Sequence, residues 1–327
     1  MSSKWIGGAV ALAGALLAAS AAQAQPQSYP TKPIRMVVGF GAGGPADVMA
    51  RLIGQRMTVA LGQPVVVDNR AGAGGTLAGR VVAEAEPDGY TLFLGNTSAL
   101  VVSPLMYKNI GYDGQKAFTA IARLGTTSDI LVVNPSFPAK SVAQLIAAAK
   151  ADPGKLNYSS PGIGTPPHLI GEMLKLRAGI DIVHVPYKSG GQSIQAVVAS
   201  EVQFTFENPA VGLPQVQSGT VRGLAVTSKE RHPQAPDIPT MIESGLPDFV
   251  SVSFTGVVGP AGMPASLVTR LNSVINDALK SPEVAATLEK LAVEVKPETA
   301  EQFGAFLAEE TASTLPVVKA AGLYGVQ

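Results

Sequence analysis

Short apolar runs alternate with longer amphipathic runs along most of the chain, and this alternation constrains the fold more than any other sequence feature. The longer runs have helical spacing. After the first short run, for example, Met49, Ile53 and Met57 fall on one helix face. Such alternation is typical of βαβ units, which predicts an α/β fold with mostly parallel sheets. The predicted strands span residues 34–40, 65–68, 91–95, 130–134, 182–185, 202–206 and 221–227.

Helix-start signals add to this pattern. Ser141 with Gln144, and Thr299 with Gln302, have the spacing of a capping box. Ser281 followed at once by a proline is typical of an N-cap and the first helical position. We therefore predict a helix at each of these places, with the last quarter of the chain largely helical.

The first residues have the features of an export signal. Lys4 precedes an uncharged apolar stretch over residues 6–19, and Ala22-Gln23-Ala24 fits a signal-peptidase site. We predict a signal peptide over residues 1–24 and a periplasmic location. Gly- and Pro-rich joints near Gly125 and Pro247 predict two chain crossings between domains. The first domain would then combine 25–126 with 248–327, the second would span 127–247, and a cleft would separate them.

Composition excludes several function classes. The chain has no cysteine, which rules out thiol catalysis, thiolate metal sites and disulfides, and its three histidines make a multi-histidine metal site improbable. Its formal net charge of zero argues against a nucleic-acid partner. The only tryptophan, Trp5, lies in the predicted leader, so a sugar ligand stacked on indole is disfavoured. We predict no metal and no cofactor.

A glycine loop over residues 39–44 follows the first predicted strand and opens a helix. It matches G-x-G-x-x-G, and Asp68 ends the second strand where a dinucleotide fold places an acid, but such a short match is weak. Bare N–H groups at a helix start also bind carboxylates. A plain tight turn is the third interpretation. Asp47, in the first helical turn, either stabilises the helix dipole or faces a ligand.

A second loop with glycines and hydroxyls runs from Tyr158 to His168. Thr165 is predicted to cap a helix that starts at Pro166, so two helix starts, one per domain, would grip a carboxylate across the cleft. His168 lies in the first turn of that helix and is either a structural hydrogen-bonding group or a ligand contact. A Ser-His-Asp triad stays open from residue order alone, although no G-x-S-x-G elbow is present.

With both loops described, the chain closely resembles the Bug-type receptors, the extracytoplasmic substrate-binding subunits of tripartite tricarboxylate transporters. The resemblance covers almost all of the chain after the leader. It rests on Tyr-Pro-x-Lys-Pro-Ile-Arg at 29–35, the Gly43-Gly44 loop with Asp47, Val-Val-Asp-Asn-Arg-Ala-Gly-Ala-Gly-Gly at 66–75, Pro-Asp-Gly-Tyr-Thr-Leu at 87–92, Leu-Asn-Tyr-Ser-Ser-Pro-Gly-Ile-Gly-Thr-Pro-Pro-His-Leu at 156–169, His-Val-Pro-Tyr-Lys at 184–188, Leu-Ala-Val-Thr-Ser at 224–228 and Pro-Asp-Ile-Pro-Thr at 236–240.

The resemblance implies a two-lobed Venus-flytrap fold of the type II periplasmic binding protein kind, with mixed sheets and a central cleft. It also implies carboxylate ligands: dicarboxylates, tricarboxylates, acidic amino acids or aromatic acids. The chain departs from the family pattern in the Gly-Ala step after Phe40, in Glu207 where Asp is usual, and at Ser253-Phe254 where Trp is frequent. These departures bear on the identity of the ligand.

From the loops and the resemblance together we predict a monomeric solute-binding protein that is not an enzyme. Its partners would be a small carboxylate and the membrane subunits of a tripartite tricarboxylate-type transporter. A ligand sensor for a signalling partner and an NAD-dependent oxidoreductase are the alternatives. The predicted ligand-binding residues are Phe40, Gly43, Gly44, Pro45, Ala46, Asp47 and Ser98 in the first domain, and Ser159, Gly162, Gly164, Thr165, His168, Tyr187 and Glu207 in the second.

Overall fold

The computed structural model describes residues 29–326, so the predicted signal peptide lies outside the described residues. The strands form two sheets of five strands each. They are β1 Ile34–Val38, β2 Val65–Asn69, β3 Thr91–Asn96, β4 Phe118–Ser128, β5 Ile130–Val133, β6 Asn157–Ser160, β7 Val183–Pro186, β8 Phe204–Glu207, β9 Arg222–Val226 and β10 Val252–Pro260. The helices are α1 Pro45–Leu61, α2 Thr76–Ala83, α3 Ser103–Met106, α4 Val142–Ala151, α5 Pro166–Ala178, α6 Gly190–Val198, α7 Pro209–Gln217, α8 Ala265–Leu279, α9 Pro282–Lys290 and α10 Ala300–Ala320.

The two sheets share one design. The first has the strand order β2-β1-β3-β10-β4 and the second β7-β6-β8-β5-β9. In each sheet the first three strands are parallel, and the fourth runs antiparallel to both of its neighbours. This arrangement confirms the predicted two-lobed α/β fold with mixed sheets.

Alternate residues of each central strand enter opposite cores, as the period of two requires. Met36 packs with α1 and α8 on one face of the first sheet, and Val37 packs with α2 and α10 on the other. In the second sheet Leu131 packs with α4 and α5, and Val132 packs with α6 and α7. Each sheet is therefore covered by helices on both faces.

The chain passes between the sheets twice, at Asp129 and between Val226 and Val252. The two crossings are hydrogen-bonded to each other. The Asp129 N–H donates to Thr227 Oγ1 over 2.8 Å, and the Thr227 N–H donates to the Asp129 carbonyl over 2.9 Å. The Ser251 N–H donates to the Thr227 carbonyl over 3.0 Å.

The register at these crossings orients the sheets. Ile130, the first residue of β5, pairs with Glu207, the last residue of β8. On the other side Val252 pairs with Ser128, and Thr255 pairs with Asn96, the last residue of β3. The carboxyl edge of the parallel strands in each sheet thus faces the crossings, so the two carboxyl edges face each other.

The predicted strands do not include β4, β6 or β10. Gly125 lies inside β4, where an added Cβ would be 2.6 Å from the Glu294 carbonyl oxygen. In β10, Gly256 and Gly259 interrupt the apolar pattern, and the pairing with β4 shifts register twice. Glycines and bulges of this kind hide the alternation by which strands are recognised.

An apolar seam joins the lobes beside the crossings. It consists of Val102, Met106, Val317 and Val318 from the first lobe and Leu169 from α5 of the second, all buried. A cavity of about 50 Å³ separates part of the seam from the crossing residues 250–252. Within residues 29–326, no helix is long and apolar enough to cross a membrane.

Candidate functional site

Three helical segments begin at the carboxyl edge of the first sheet. Gly44 precedes α1, Gly75 precedes α2, and a π-helical turn over Ser98–Val102 follows β3. The loop that leads from β1 to α1 touches the start of α2, since an added Cβ at Gly39 would lie 2.5 Å from the Gly75 Cα. Ser98 lies half-buried beside them, its Cβ 4.0 Å from a Cβ added at Gly74. The run Gly72–Gly75 was not predicted to line the site, although glycines directly after a strand were a usable signal.

The start of α1 exposes backbone donors. Gly44 occupies the N-cap position in an extended conformation and has no side chain to cap the helix. Pro45 carries no N–H, and the first intrahelical bond runs from the Val48 N–H to the Gly44 carbonyl over 3.0 Å. The N–H groups of Gly44, Ala46 and Asp47 have no hydrogen-bond partner among the described residues. These three groups can bind an anion.

The Asp47 carboxylate is occupied by the loop itself. It accepts hydrogen bonds from Arg51 Nε over 2.9 Å, from the Gly43 N–H over 2.9 Å and from Asn69 Nδ2 over 3.0 Å. The Arg51 hydrogen bond lowers the pKa of Asp47 to about 2, against the opposing effect of burial. The same Asn69 amide donates to the Phe40 carbonyl over 2.9 Å. Asp47 thus fixes the glycine loop, and the Gly43 N–H is not free for a ligand.

Asp68, the acid required by the dinucleotide interpretation, is also engaged. Arg35 Nε donates to Asp68 Oδ2 over 2.7 Å, and Arg70 Nε lies 3.1 Å from both carboxylate oxygens. Two guanidinium groups therefore occupy the carboxylate that would bind a ribose.

In the second lobe, α5 begins with few donors. Thr165 occupies the predicted N-cap position of a helix that starts at Pro166, but its hydroxyl donates to the Gly162 carbonyl over 2.7 Å and makes no capping bond. Pro166 and Pro167 carry no N–H. Within the part of the chain that the structure describes, the His168 and Ile163 N–H groups have no partner. The second lobe consequently offers fewer donors than the first.

His168 holds the loop that precedes it. Its Nδ1 accepts the Gly164 N–H over 3.1 Å, and its ring stacks on that of His184 with centroids 4.0 Å apart. Burial lowers the pKa of His168 to about 4, with a smaller contribution from Lys175, and burial also lowers that of His184 to about 4. His184 Nε2 lies 2.6 Å from Ser160 Oγ, which accepts the Gly162 N–H over 3.1 Å. Both imidazoles are neutral at pH 7.

Two other predicted residues have side chains engaged within the lobe. Ser159 is fully buried, and its hydroxyl donates to the Ser193 carbonyl over 3.0 Å. The Tyr187 hydroxyl donates to Glu201 over 3.1 Å. In this conformation Ser159 offers no surface to a ligand.

Glu207 ends β8 at the cleft edge and is only 3 % exposed. Its Oε1 has no hydrogen-bond partner among residues 29–326. Burial, and to a smaller extent the neighbouring Asp129, raise the pKa of Glu207 to about 8, against the lowering effect of a hydrogen bond from Ser193. Burial raises the pKa of Asp129 itself to about 7. The sequence analysis missed Asp129, because nothing in its sequence surroundings distinguishes it from a surface acid.

The structure thus brings Phe40 to Asp47 and Ser98 together on one edge, and 159–168, Tyr187 and Glu207 on the facing edge. No group of acidic or histidine side chains among the described residues has the arrangement of a metal site.

The sequence matches one family model, and the structure is similar to several solved structures. Residues 49–323 match the model of the family described as "Tripartite tricarboxylate transporter family receptor". The chain is similar to the periplasmic binding protein BugD, with 32 % identity over 90 % of this chain and 99 % of that one, and a TM-score of 0.71.

Two ligand-bound structures are also similar. Rpa4515 of R. palustris, solved with adipate, is 33 % identical over 90 % of this chain and 98 % of its own, with a TM-score of 0.74. MatC of Rhodopseudomonas palustris, solved with bound malate, is 31 % identical over 89 % of this chain and 100 % of its own, with a TM-score of 0.72.

Proposed function

Because the chain belongs to the tripartite tricarboxylate transporter receptor family, we propose that it captures a small carboxylate between its lobes and delivers it to the membrane subunits of a transporter. We propose further that residues 1–24 direct its export to the periplasm. Two similar proteins were solved with the dicarboxylates adipate and malate, which supports a ligand of this class.

One observation carries the proposal: unpartnered backbone N–H groups at the start of α1, on an edge that faces the second lobe. Gly44, Ala46 and Asp47 supply three such groups. Each charge-assisted hydrogen bond to a carboxylate contributes about 1.5–3 kcal/mol. The positive end of the helix dipole adds to the attraction.

Capture of the ligand then proceeds in two steps. The first lobe, with three donors, binds the carboxylate while the cleft is open. The second lobe closes over it and adds the Ile163 and His168 N–H groups. Asp47 and His168 position these donors through their bonds to Gly43 and Gly164. No covalent step is involved.

A thermal-shift and calorimetry screen of mono-, di- and tricarboxylates tests this function. The purified protein is first unfolded and refolded to remove ligand retained from the host. A ligand at about 100 times its dissociation constant should add about 2.7 kcal/mol of apparent stability.

Gly44→Leu is the informative variant, because an added Cβ there meets only the Gly41 carbonyl oxygen at 3.6 Å and the backbone is extended. We expect folding to persist while carboxylate affinity falls about tenfold or more, because the leucine side chain would stand beside the backbone donors and keep the carboxylate from at least one charge-assisted hydrogen bond. Gly304→Ala, in α10, is the control and should bind normally. Unchanged affinity in Gly44→Leu, or a panel in which no carboxylate binds, contradicts the proposal.

A further inference from the structure

Two acidic side chains lie together at the base of the cleft without a basic partner. Glu207 is the last residue of β8, and Asp129 immediately precedes Ile130, its pairing partner on β5. Both are buried, at 3 % and 6 % exposure, and neither forms a salt bridge with any residue in 29–326. Burying acids without a counter-charge is costly, so an unpaired pair requires an explanation.

The Glu207 carboxyl group faces the segments that line the second lobe's edge of the cleft. A Cβ added at Gly190, the first residue of α6, would lie 3.3 Å from Glu207 Oε2 and 3.9 Å from Pro161 Cγ. Gly212 of α7 packs against the Glu207 Cβ. None of these neighbours is charged, so among the described residues Asp129 is the titratable group that faces Glu207.

The protein leaves this carboxyl group incompletely bonded. Oε1 is buried and accepts no hydrogen bond within residues 29–326. The Ser193 hydroxyl lies within hydrogen-bonding reach of the Glu207 carboxyl group and lowers its pKa, but its proton is shared with Ser159 Oγ at 2.9 Å, and Oε1 remains without a partner. A donor from outside the chain would complete the site.

We propose that Glu207 and Asp129 form a subsite for the ammonium group of the ligand, so that the captured acid is an amino acid whose carboxylate docks on the first lobe. An ammonium group brings three N–H donors and one positive charge, which are what two unpartnered carboxyl groups lack. This inference rests on the proposed carboxylate-binding function and narrows it.

A diacid without an ammonium group gives Glu207 and Asp129 neither a positive charge nor N–H donors. An ionised second carboxylate would be repelled by any negative charge on Glu207 or Asp129, and a hydroxyl would supply one donor and no charge. The opposed chemistry of the two edges, bare N–H groups on one and bare carboxyl oxygens on the other, fits a zwitterion.

The test compares acids that differ only in the ammonium group: L-aspartate with succinate, L-glutamate with glutarate, and L-phenylalanine with 3-phenylpropionate. Calorimetry gives the affinity of each for the ligand-free protein. In whichever pair binds, we expect the amino acid to bind more tightly than its partner by roughly 30-fold or more. This is the usual effect of removing one member of a buried charge pair.

Proton release gives a second readout. The raised pKa of Glu207, about 8, makes it largely neutral at pH 7 in the free protein, and an ammonium group would favour its ionised form. Titrations at pH 7 in phosphate and in Tris should reveal release of about one proton per amino acid bound. Glu207→Gln should remove most of this release, leaving the part that Asp129, with its pKa of about 7, contributes, and should reduce the amino acid preference to a few-fold.

Asp181→Asn is the control. Asp181 is exposed and lies before β7, at the sheet edge opposite the cleft, and its substitution makes the same change from carboxyl to amide. It should leave affinity and proton release unchanged. Thermal unfolding verifies that Glu207→Gln is folded.

The outcomes separate the two proposals. If the acids without an ammonium group bind as tightly as their partners, or if Glu207→Gln retains the preference, the ammonium subsite is wrong while carboxylate capture stands. If no acid of either kind binds, carboxylate capture itself fails.

Discussion

At the residue scale, the polar side chains of the loops hold backbone more than they face the cleft. Asp47 binds the Gly43 N–H, and His168 binds the Gly164 N–H. The sequence indicated both residues because each lies in the first turn of a helix. It did not indicate which of the two proposed roles each performs, because that depends on the direction of the side chain.

His168 makes stability depend on acid pH. Its folded pKa of about 4 lies below the ordinary 6.5, so the native state binds fewer protons than the unfolded state. The contribution of neutral His168 is complete above pH 6.5 and is lost as the pH falls towards 4. We expect His168→Asn, which keeps an acceptor for Gly164, to reduce this loss by up to about 1.4 kcal/mol per pH unit. Urea unfolding of both proteins from pH 7.5 to 4.5 measures it, and parallel curves would contradict it.

Glu207 makes stability depend on pH in the opposite direction from His168. Its folded pKa of about 8 lies above the ordinary 4.5, so its contribution is complete below pH 4.5 and is lost as the pH rises through 8. We expect Glu207→Gln to become progressively more stable than the parent protein between pH 5.5 and 8.5. The slope of the difference should reach about 1.4 kcal/mol per pH unit at most. A difference that does not change with pH in urea unfolding would show that Glu207 is already ionised.

At the scale of elements, the sequence predicted seven of the ten described strands, including the antiparallel β5 and β9, but not β4, β6 or β10. Central parallel strands such as β1 and β3 are buried on both faces and appear as continuous apolar runs. By contrast, β10 lies inside the first sheet between β3 and β4, runs antiparallel to both, and contains two glycines and register shifts. Its pairing is set by distant residues, which no local pattern reports.

The helix caps that the sequence predicted also differ from one another, because one forms its side-chain hydrogen bonds and another does not. Thr299 forms the predicted capping box with Gln302, whereas Thr165 donates its hydroxyl to Gly162 instead. We expect Thr299→Ala to lower the free energy of unfolding by about 1 kcal/mol, the usual effect of cap removal. Thr165→Val, which keeps the shape, should cost less than half as much, since no cap is lost. Denaturant midpoints of the two variants decide this, and equal losses would mean that Thr165 does cap α5 in solution.

At the scale of the whole molecule, the apolar seam stabilises one arrangement of the lobes. Leu169 is buried against residues of the first lobe, whereas Leu174, five positions along α5, is buried in the core of the second. We expect Leu174→Ala to cost about 2–5 kcal/mol of stability. Leu169→Ala should instead increase the radius of gyration and weaken ligand binding.

Small-angle scattering with and without ligand, together with unfolding curves, distinguishes the two leucines. An unchanged radius of gyration in Leu169→Ala would show that the seam does not set the separation of the lobes.

The ligand-binding residues that the sequence predicted in one run, such as 40–47, are brought together by one loop. The pairing of Asp129 with Glu207 across two strands required the tertiary structure.

The position of both crossings at one end of the sheets determines where motion is largest. In the strand orders, β2 and β7 lie at the ends away from the crossing strands, so a rotation about the crossings moves their carboxyl ends furthest. Ala71 and Lys188 follow those two strands and are exposed. Since the native chain contains no cysteine, a single thiol introduced at each position would accept a spectroscopic label without competition. The distance between spin labels at these two positions, with and without ligand, would then measure how far the cleft opens and closes.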